Sequence, residues 1–195
     1  MKPKISIAIP FHFGMKNWQF FLTRCLYSIE KQTFKEYEVI LIKHSTMPIT
    51  SNRVIESAKG EIIKVLYCDD WLESVNYLAE LYKAFENPEV QWVITSASTN
   101  KFPKWTDDIE TGNNKLGSPS ALAFRNDAFL ELFDEKLSWL LDCDLYKRLK
   151  KRLGKPTILY DISVGIGIHE GQMTNILTAE EKQEEFNYLK NKYNA

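Results

Sequence analysis

The chain has 195 residues, 44% of them hydrophobic and 26% charged, which suits one compact domain with a sizeable core rather than two independent ones. A formal net charge of −1 excludes a global basic field for nucleic acid and an acidic excess of the kind that keeps chains disordered. Cys25, Cys68 and Cys143 lie far apart without CxxC spacing, which argues against a disulfide framework or zinc site and for a reducing, cytoplasmic location.

Lys4 to Ile9 alternates and closes at Pro10, giving a first strand, and Trp18 to Gln32 carries Phe21, Leu22, Cys25, Leu26 and Ile29 at helical spacing. Tyr37 to Ile42 is a second β-rich run, Ser51 to Ala58 a short helix capped by Thr50 or Ser51, and Glu61 to Tyr67 a third strand. This β, α, β, α, β alternation predicts a mostly parallel sheet flanked by helices. Leu72 to Phe85 reads as helix and, after the Asn87-Pro88 break, Gln91 to Thr95 as a fourth strand. Ser98 to Ser120, with Pro103, Gly112, Asn113, Asn114, Gly117 and Pro119, reads as a long loop, and loops of that length are often lids or binding segments. Beyond it, Ser120 to Phe124 reads as strand, Asp127 to Phe133 as a short helix, and Leu137 to Leu153 as a longer one stopped by Gly154 and Pro156. Thr157 to Ile162 and Val164 to Ile168 read as strands, and Thr178 to Tyr193 as an exposed helix that packs rather than does chemistry.

The most informative run is Lys59 to Asp70, where a buried apolar strand drives into the adjacent carboxylates Asp69 and Asp70. In open α/β folds the carboxyl ends of strands face the ligand crevice, so these Asp residues offer hard oxygen ligands where a phosphorylated substrate would lie. Taken alone, they equally start a turn or cap the next helix.

The order of segments resembles the inverting GT-A glycosyltransferases, the family-2-like group. Ile5 to Pro10 resembles that family's first strand, Cys25 to Phe34 its "CL-S-I--QT(Y/F)" helix end, and Asn52 to Asp70 the stretch carrying its DxD motif. Gly117 to Ser120, Asp142 to Leu149 and His169 to Gln172 resemble its acceptor-side strand, base-bearing helix and closing HxGQ-like turn. The resemblance implies a GT-A fold in one domain, with residues 1–97 as the nucleotide-sugar half, 98–177 as the acceptor and catalytic half and 178–195 as a C-terminal helix. It implies a Mn2+ or Mg2+ cofactor held by Asp69, the last Asp of DxD, with His169 as a second ligand or a diphosphate contact. It also implies that donor binding involves Pro10, Phe11, His12, Phe13, Lys43, Asn52, Tyr67 and Cys68, an aromatic after the first strand stacking on the base. Two positions depart from the pattern: Lys43-His44 stands where paired Asp usually ends the second strand, and Tyr67 replaces the first Asp of DxD.

A general base is needed to take the acceptor proton, and the candidates are Asp142 and Asp144. On a helix they lie roughly 200° apart, so periodicity does not choose between them; the resemblance chooses Asp142, which read alone is also a good helix N-cap. The cluster Lys147, Arg148, Lys150, Lys151, Arg152 and Lys155 is a solvated helix face or a contact for an anionic acceptor or membrane surface. No apolar run approaches the roughly 20 residues that span a bilayer, and the N-terminus lacks a signal-peptide layout. Trp105, in the long loop, is a candidate acceptor wall, with core packing as its alternative. The expected activity is transfer of a sugar from a nucleotide diphosphate sugar to a hydroxyl of a glycan, lipid-linked or protein acceptor. The alternative is a non-catalytic nucleotide-sugar or carbohydrate-binding module, motivated by Lys43-His44 and Tyr67. A nucleotidyltransferase would want a Gly-rich, basic turn after the first strand, which Pro10 to Gly14 does not supply.

Overall fold

The computed structural model describes residues 2–11, 16–44, 46–126 and 131–194. Strand β1 (Ile5–Phe11) is buried along its whole length. It pairs in parallel with β2 (Tyr37–Lys43), Ile5 opposite Tyr37, and with β3 (Ile62–Val65), Ile5 opposite Ile62. Its continuous apolar run is what a strand covered on both faces requires. Beyond β3 lie β6 (Leu122–Arg125), β5 (Trp92–Ala97), β7 (Thr157–Gly165) and the two-residue β4 (Trp71–Leu72), giving the order β2-β1-β3-β6-β5-β7-β4. The pairings make β1, β2, β3, β5 and β7 run one way, with β6 and β4 against them. The sheet is therefore mostly parallel, as expected.

The helices are α1 (Trp18–Glu30), α2 (Met47–Glu56), α3 (Tyr77–Phe85), α4 (Leu141–Leu153), α5 (Met173–Ile176) and α6 (Ala179–Asn194). Four boundaries differ from the sequence reading for identifiable reasons, one being the start of α4 at Leu141 rather than Leu137, where the N–H groups of residues 138–140 bond to Glu185 of α6. Helix α2 starts at Met47 rather than Ser51, because Pro48 fits the first helical turn, where its missing N–H costs nothing. Trp71 and Leu72 form a strand instead of opening α3, because they pair with Gly165 and Val164 of β7. A Cβ at Gly165 would fall 1.9 Å from the Trp71 ring, so only glycine admits that indole. The two strands expected at 157–168 are one, β7, with a register shift opposite Thr95 and Ser96. The helix expected at 127–133 falls partly outside the described residues, and residues 131–134 are not helical.

Helix α6 begins with a reciprocal capping box: Glu181 N donates to Thr178 Oγ1 at 3.2 Å, and Thr178 N donates to Glu181 Oε2 at 2.8 Å. The three cysteines are free and buried. No helix among the described residues is long and apolar enough to cross a membrane.

Candidate active site

Because five strands are co-directional, their carboxyl ends share one edge. There the chain after β3 (67–70), the turn entering β6 (118–120), the chain after β7 (166–172) and the start of α4 enclose a cavity of about 300 Å³. Tyr67, Cys68, Asp69, Asp142 and His169 all line it.

Asp69 and His169 form its floor, Asp69 Oδ2 lying 3.0 Å from His169 Nε2. Gly171 N donates to His169 Nδ1 at 3.1 Å, so the hydrogen-bond pattern puts the ring proton on Nε2, where it is donated to Asp69. The main chain of Asp69 is gripped separately. Arg24 Nη2 donates to its carbonyl at 2.7 Å, while the guanidinium lies 3.7 Å from the centre of the Trp71 ring. Gly167 packs so closely that a Cβ there would sit 2.2 Å from the Asp69 carbonyl oxygen, and its N–H donates to Asp70 Oδ1 at 2.8 Å.

Asp70 is buried, and its carboxyl is held well above the usual range by desolvation and by the neighbouring Asp69 charge. Beneath it lies Lys64, fully buried in β3, whose ammonium donates to the Ser120 carbonyl and lies 5.1 Å from the centre of the Tyr77 ring. Desolvation lowers Lys64 to about 7, with Asp70 pulling the other way. The Tyr67 backbone N–H donates to Ser120 Oγ at 2.8 Å, and burial raises its phenol, with Ser51 pulling the other way.

Asp142 and Asp144 separate cleanly. Asp144 is fully buried against Arg148 (2.8 Å), Lys192 (2.6 Å) and the Tyr193 hydroxyl (2.6 Å), a packing role. Asp142 faces the cavity from the first turn of α4. It is not the helix N-cap, a position taken by Leu140. Its Oδ1 accepts from Cys143 N and its Oδ2 from Asn114 Nδ2, both at 2.8 Å. Burial raises the carboxyl to about 6, although both hydrogen bonds favour the ionised form.

The remaining expected donor contacts lie elsewhere. Pro10 and Phe11 are buried in β1, Phe11 edge-on to Trp18 at 5.1 Å. His12 and Phe13 lie outside the described residues. Lys43 is exposed at the end of β2. Asn52 is buried and ties α2 to Phe133, accepting from its N–H at 2.7 Å and donating to its carbonyl at 3.0 Å. None of the four described residues is among those lining the cavity. Trp105 donates to Asp107 at 2.8 Å and packs against the core, and it too is outside the lining. In the basic cluster, Lys147 pairs with Glu110 at 2.7 Å and Arg148 with Glu131 and Asp144, and Lys151, Arg152 and Lys155 are exposed.

Sequence reasoning missed Lys64, Asn114 and Arg24. A lysine inside a continuous apolar strand was a legible signal for Lys64. Nothing local distinguished Asn114 from its loop neighbours or Arg24 from its helix.

The donor chemistry suits a divalent cation. Asp69 supplies the hard oxygen such a cation takes, while His169, with its Nε2 proton directed at that carboxylate, offers a donor for a phosphate oxygen rather than a lone pair for the metal, and a cation shared with substrate phosphates needs only one or two protein carboxylates. Among the described residues no three acidic, His or Cys side chains converge, so substrate oxygens would complete the shell.

No family model and no curated protein matches the sequence. Solved structures match the fold. The structure of S. aureus TarS residues 1–349 aligns with a TM-score of 0.65 at 16% identity over 95% of this chain. The same TarS segment bound to UDP-GlcNAc gives 0.65 at 15% identity. The mannosyltransferase PcManGT from Pyrobaculum calidifontis, in complex with GDP-Man and Mn2+, gives 0.63 at 15% identity over 88% of this chain. The chain spans 64% of the TarS 1–349 structure and 59% of PcManGT. The likeness shows the fold, the GT-A-type α/β arrangement.

Proposed function

We propose that the chain is a metal-dependent, inverting glycosyltransferase that moves a sugar from a nucleotide diphosphate sugar to a hydroxyl of a glycan, lipid-linked or protein acceptor. One observation carries the reading: Asp142 lines the same cavity as the Asp69–His169 pair. Residues 1–97 would hold the donor and residues 98–177 the acceptor.

Asp142 accepts the acceptor hydroxyl proton as the oxygen attacks the anomeric carbon from the face opposite the diphosphate. The new C–O bond forms while the bond to phosphate breaks and the diphosphate departs with its electron pair. Raised to about 6, Asp142 is ionised at neutral pH yet basic enough to take that proton. Asn114 holds Oδ2 and the Cys143 N–H holds Oδ1, which fixes the carboxylate plane. Asp69 would hold a Mn2+ or Mg2+ ion, which would supply charge neutralisation for the leaving diphosphate. His169, with its proton on Nε2, can swing that donor from Asp69 to a phosphate oxygen. The nucleotide-sugar complexes of TarS and PcManGT support the donor class.

The test is release of nucleotide diphosphate from UDP-GlcNAc and GDP-Man in the presence of Mn2+, with water standing in for the acceptor hydroxyl. The wild type is expected to turn over at least one donor and Asp142→Asn neither. Donor binding without release by the wild type would favour the non-catalytic module.

A further inference from the structure

Helix α4 begins without a cap of its own: its N-cap residue is Leu140, whose side chain accepts nothing. The N–H groups immediately ahead of the helix converge on one carboxylate from α6. Ser138 N donates to Glu185 Oε1 at 2.7 Å, and Trp139 N and Leu140 N donate to Oε2 at 3.0 and 2.8 Å. Two residues further on is Asp142, and Ser138 and Leu141 line the cavity beside it.

The next residue of α6 reaches the other half of the same cradle. Phe186 packs edge-on to Trp139 at 5.4 Å, and it lies so close to Gly112 that a Cβ there would come within 2.8 Å of the ring. Two residues past Gly112 is Asn114, which donates to Asp142 Oδ2. One turn of α6 therefore holds both segments whose hydrogen bonds set the Asp142 carboxylate.

We propose that Glu185 is a positioning residue for Asp142, fixing the turn that aims this carboxylate into the cavity; the idea rests on the proposed role of Asp142 as the base. Docking of α6 does not depend on it. Leu189 is fully buried, Tyr188 and Lys192 each reach Asp134 at 2.7 Å, and Lys192 and Tyr193 each reach Asp144 at 2.6 Å. A Glu185 substitution thus loosens the aim of Asp142 while the helix stays in place.

The readout is the titration of Asp142 itself, followed by carbon NMR of labelled aspartate and assigned with Asp142→Asn. The titratable groups facing it are Tyr67, Cys143 and Tyr146, all pushed upward by burial, with Asp69, Asp70 and His169 also on the cavity wall. In Glu185→Ala the midpoint is expected to move from about 6 by about half a unit or more, downward as the carboxyl gains solvent or upward as it loses the Asn114 or Cys143 hydrogen bond. Glu185→Gln, which keeps an accepting oxygen, is expected to recover part of that shift. With UDP-GlcNAc or GDP-Man and Mn2+, kcat for nucleotide diphosphate release is expected to drop about 10- to 100-fold in Glu185→Ala with donor KM unchanged. Should Glu185→Ala not fold, Glu185→Asp, one methylene shorter, is expected to shift the midpoint the same way. An unchanged Asp142 midpoint in the folded variant, or a kcat loss matched by lost donor affinity, overturns the proposal. Absence of turnover in the wild type counts against the proposed function instead, and the titration still decides the role of Glu185.

Discussion

Asp69 and His169 stand 100 residues apart in the sequence and meet through a 3.0 Å hydrogen bond from Nε2 to Oδ2. Two segments far apart in the chain thereby meet on one wall of the cavity, the first following the strand that ends at Val65 and the second following β7. The Gly167 N–H on Asp70 ties the same two segments a second time. The floor is thus braced from its main chain, leaving the Asp69 side chain turned to the cavity.

Gly167→Ala tests that bracing. A methyl group 2.2 Å from the Asp69 carbonyl must push the two segments apart, breaking the Gly167–Asp70 hydrogen bond or the Arg24 contact. The expected loss is about 1–3 kcal/mol, as for other overpacking changes, with weakened Mn2+-dependent nucleotide binding. Chemical denaturation and calorimetry check the two parts, and a variant with wild-type values for both would refute the bracing.

Asp142 sets a pH signature. A base raised to about 6 must be ionised to act, so kcat is expected to climb through about pH 6 and level off above it. Asn114→Leu removes a hydrogen bond that favours the ionised form, so the midpoint should move to higher pH. A pH–rate profile of the two proteins checks the direction; a shift to lower pH would contradict it.

The same carboxyl carries a stability cost. Its folded-state pKa is raised, so its contribution is most favourable below the unfolded value near 4, is lost as pH rises through about 6, and then stays constant. Asp142→Asn has no charge to desolvate. Relative to the wild type it should gain stability between about pH 4 and 6, reaching on the order of 1–2 kcal/mol at pH 7 once the cavity-facing exposure of Asp142 is allowed for. Urea unfolding at pH 4 and pH 7 measures the difference, and an equal offset at both would contradict the assignment.

Much of the fold was legible because its signals are local. The apolar runs of β1 and β3 and the Thr178–Glu181 capping pair mark their elements directly. The departures came from tertiary partners. Trp71 joined a strand because Gly165 leaves room for its ring, and α4 started late because its preceding N–H groups bond to Glu185. The site was legible in part for the same reason. Asp69 ends a recognisable strand, whereas periodicity left Asp142 and Asp144 open and only the resemblance chose Asp142; in the fold Arg148, Lys192 and Tyr193 surround Asp144 and separate the two. Asn52, a donor contact by the resemblance, ties its amide to Phe133, a partner 81 residues away that no local signal announces.

Lys64 is fully buried under the site, donating to the Ser120 carbonyl. Lys64→Ala removes that donor and leaves a cavity, so it should destabilise by about 2–5 kcal/mol. Lys64→Met refills the volume but still leaves the Ser120 carbonyl without this donor, so it should cost less, about 1–3 kcal/mol. Equal losses in both, measured by denaturant unfolding, would mean that the packing of the lysine stem contributes nothing.

The most direct measurement is isothermal calorimetry of UDP, GDP and their sugar conjugates on the wild type and Asp69→Ala, with and without Mn2+. The account predicts that at least one nucleotide binds the wild type in a Mn2+-dependent manner and that Asp69→Ala, still folded, abolishes that dependence. Equal Mn2+-dependent binding by both proteins would contradict the placement of the metal and diphosphate at Asp69.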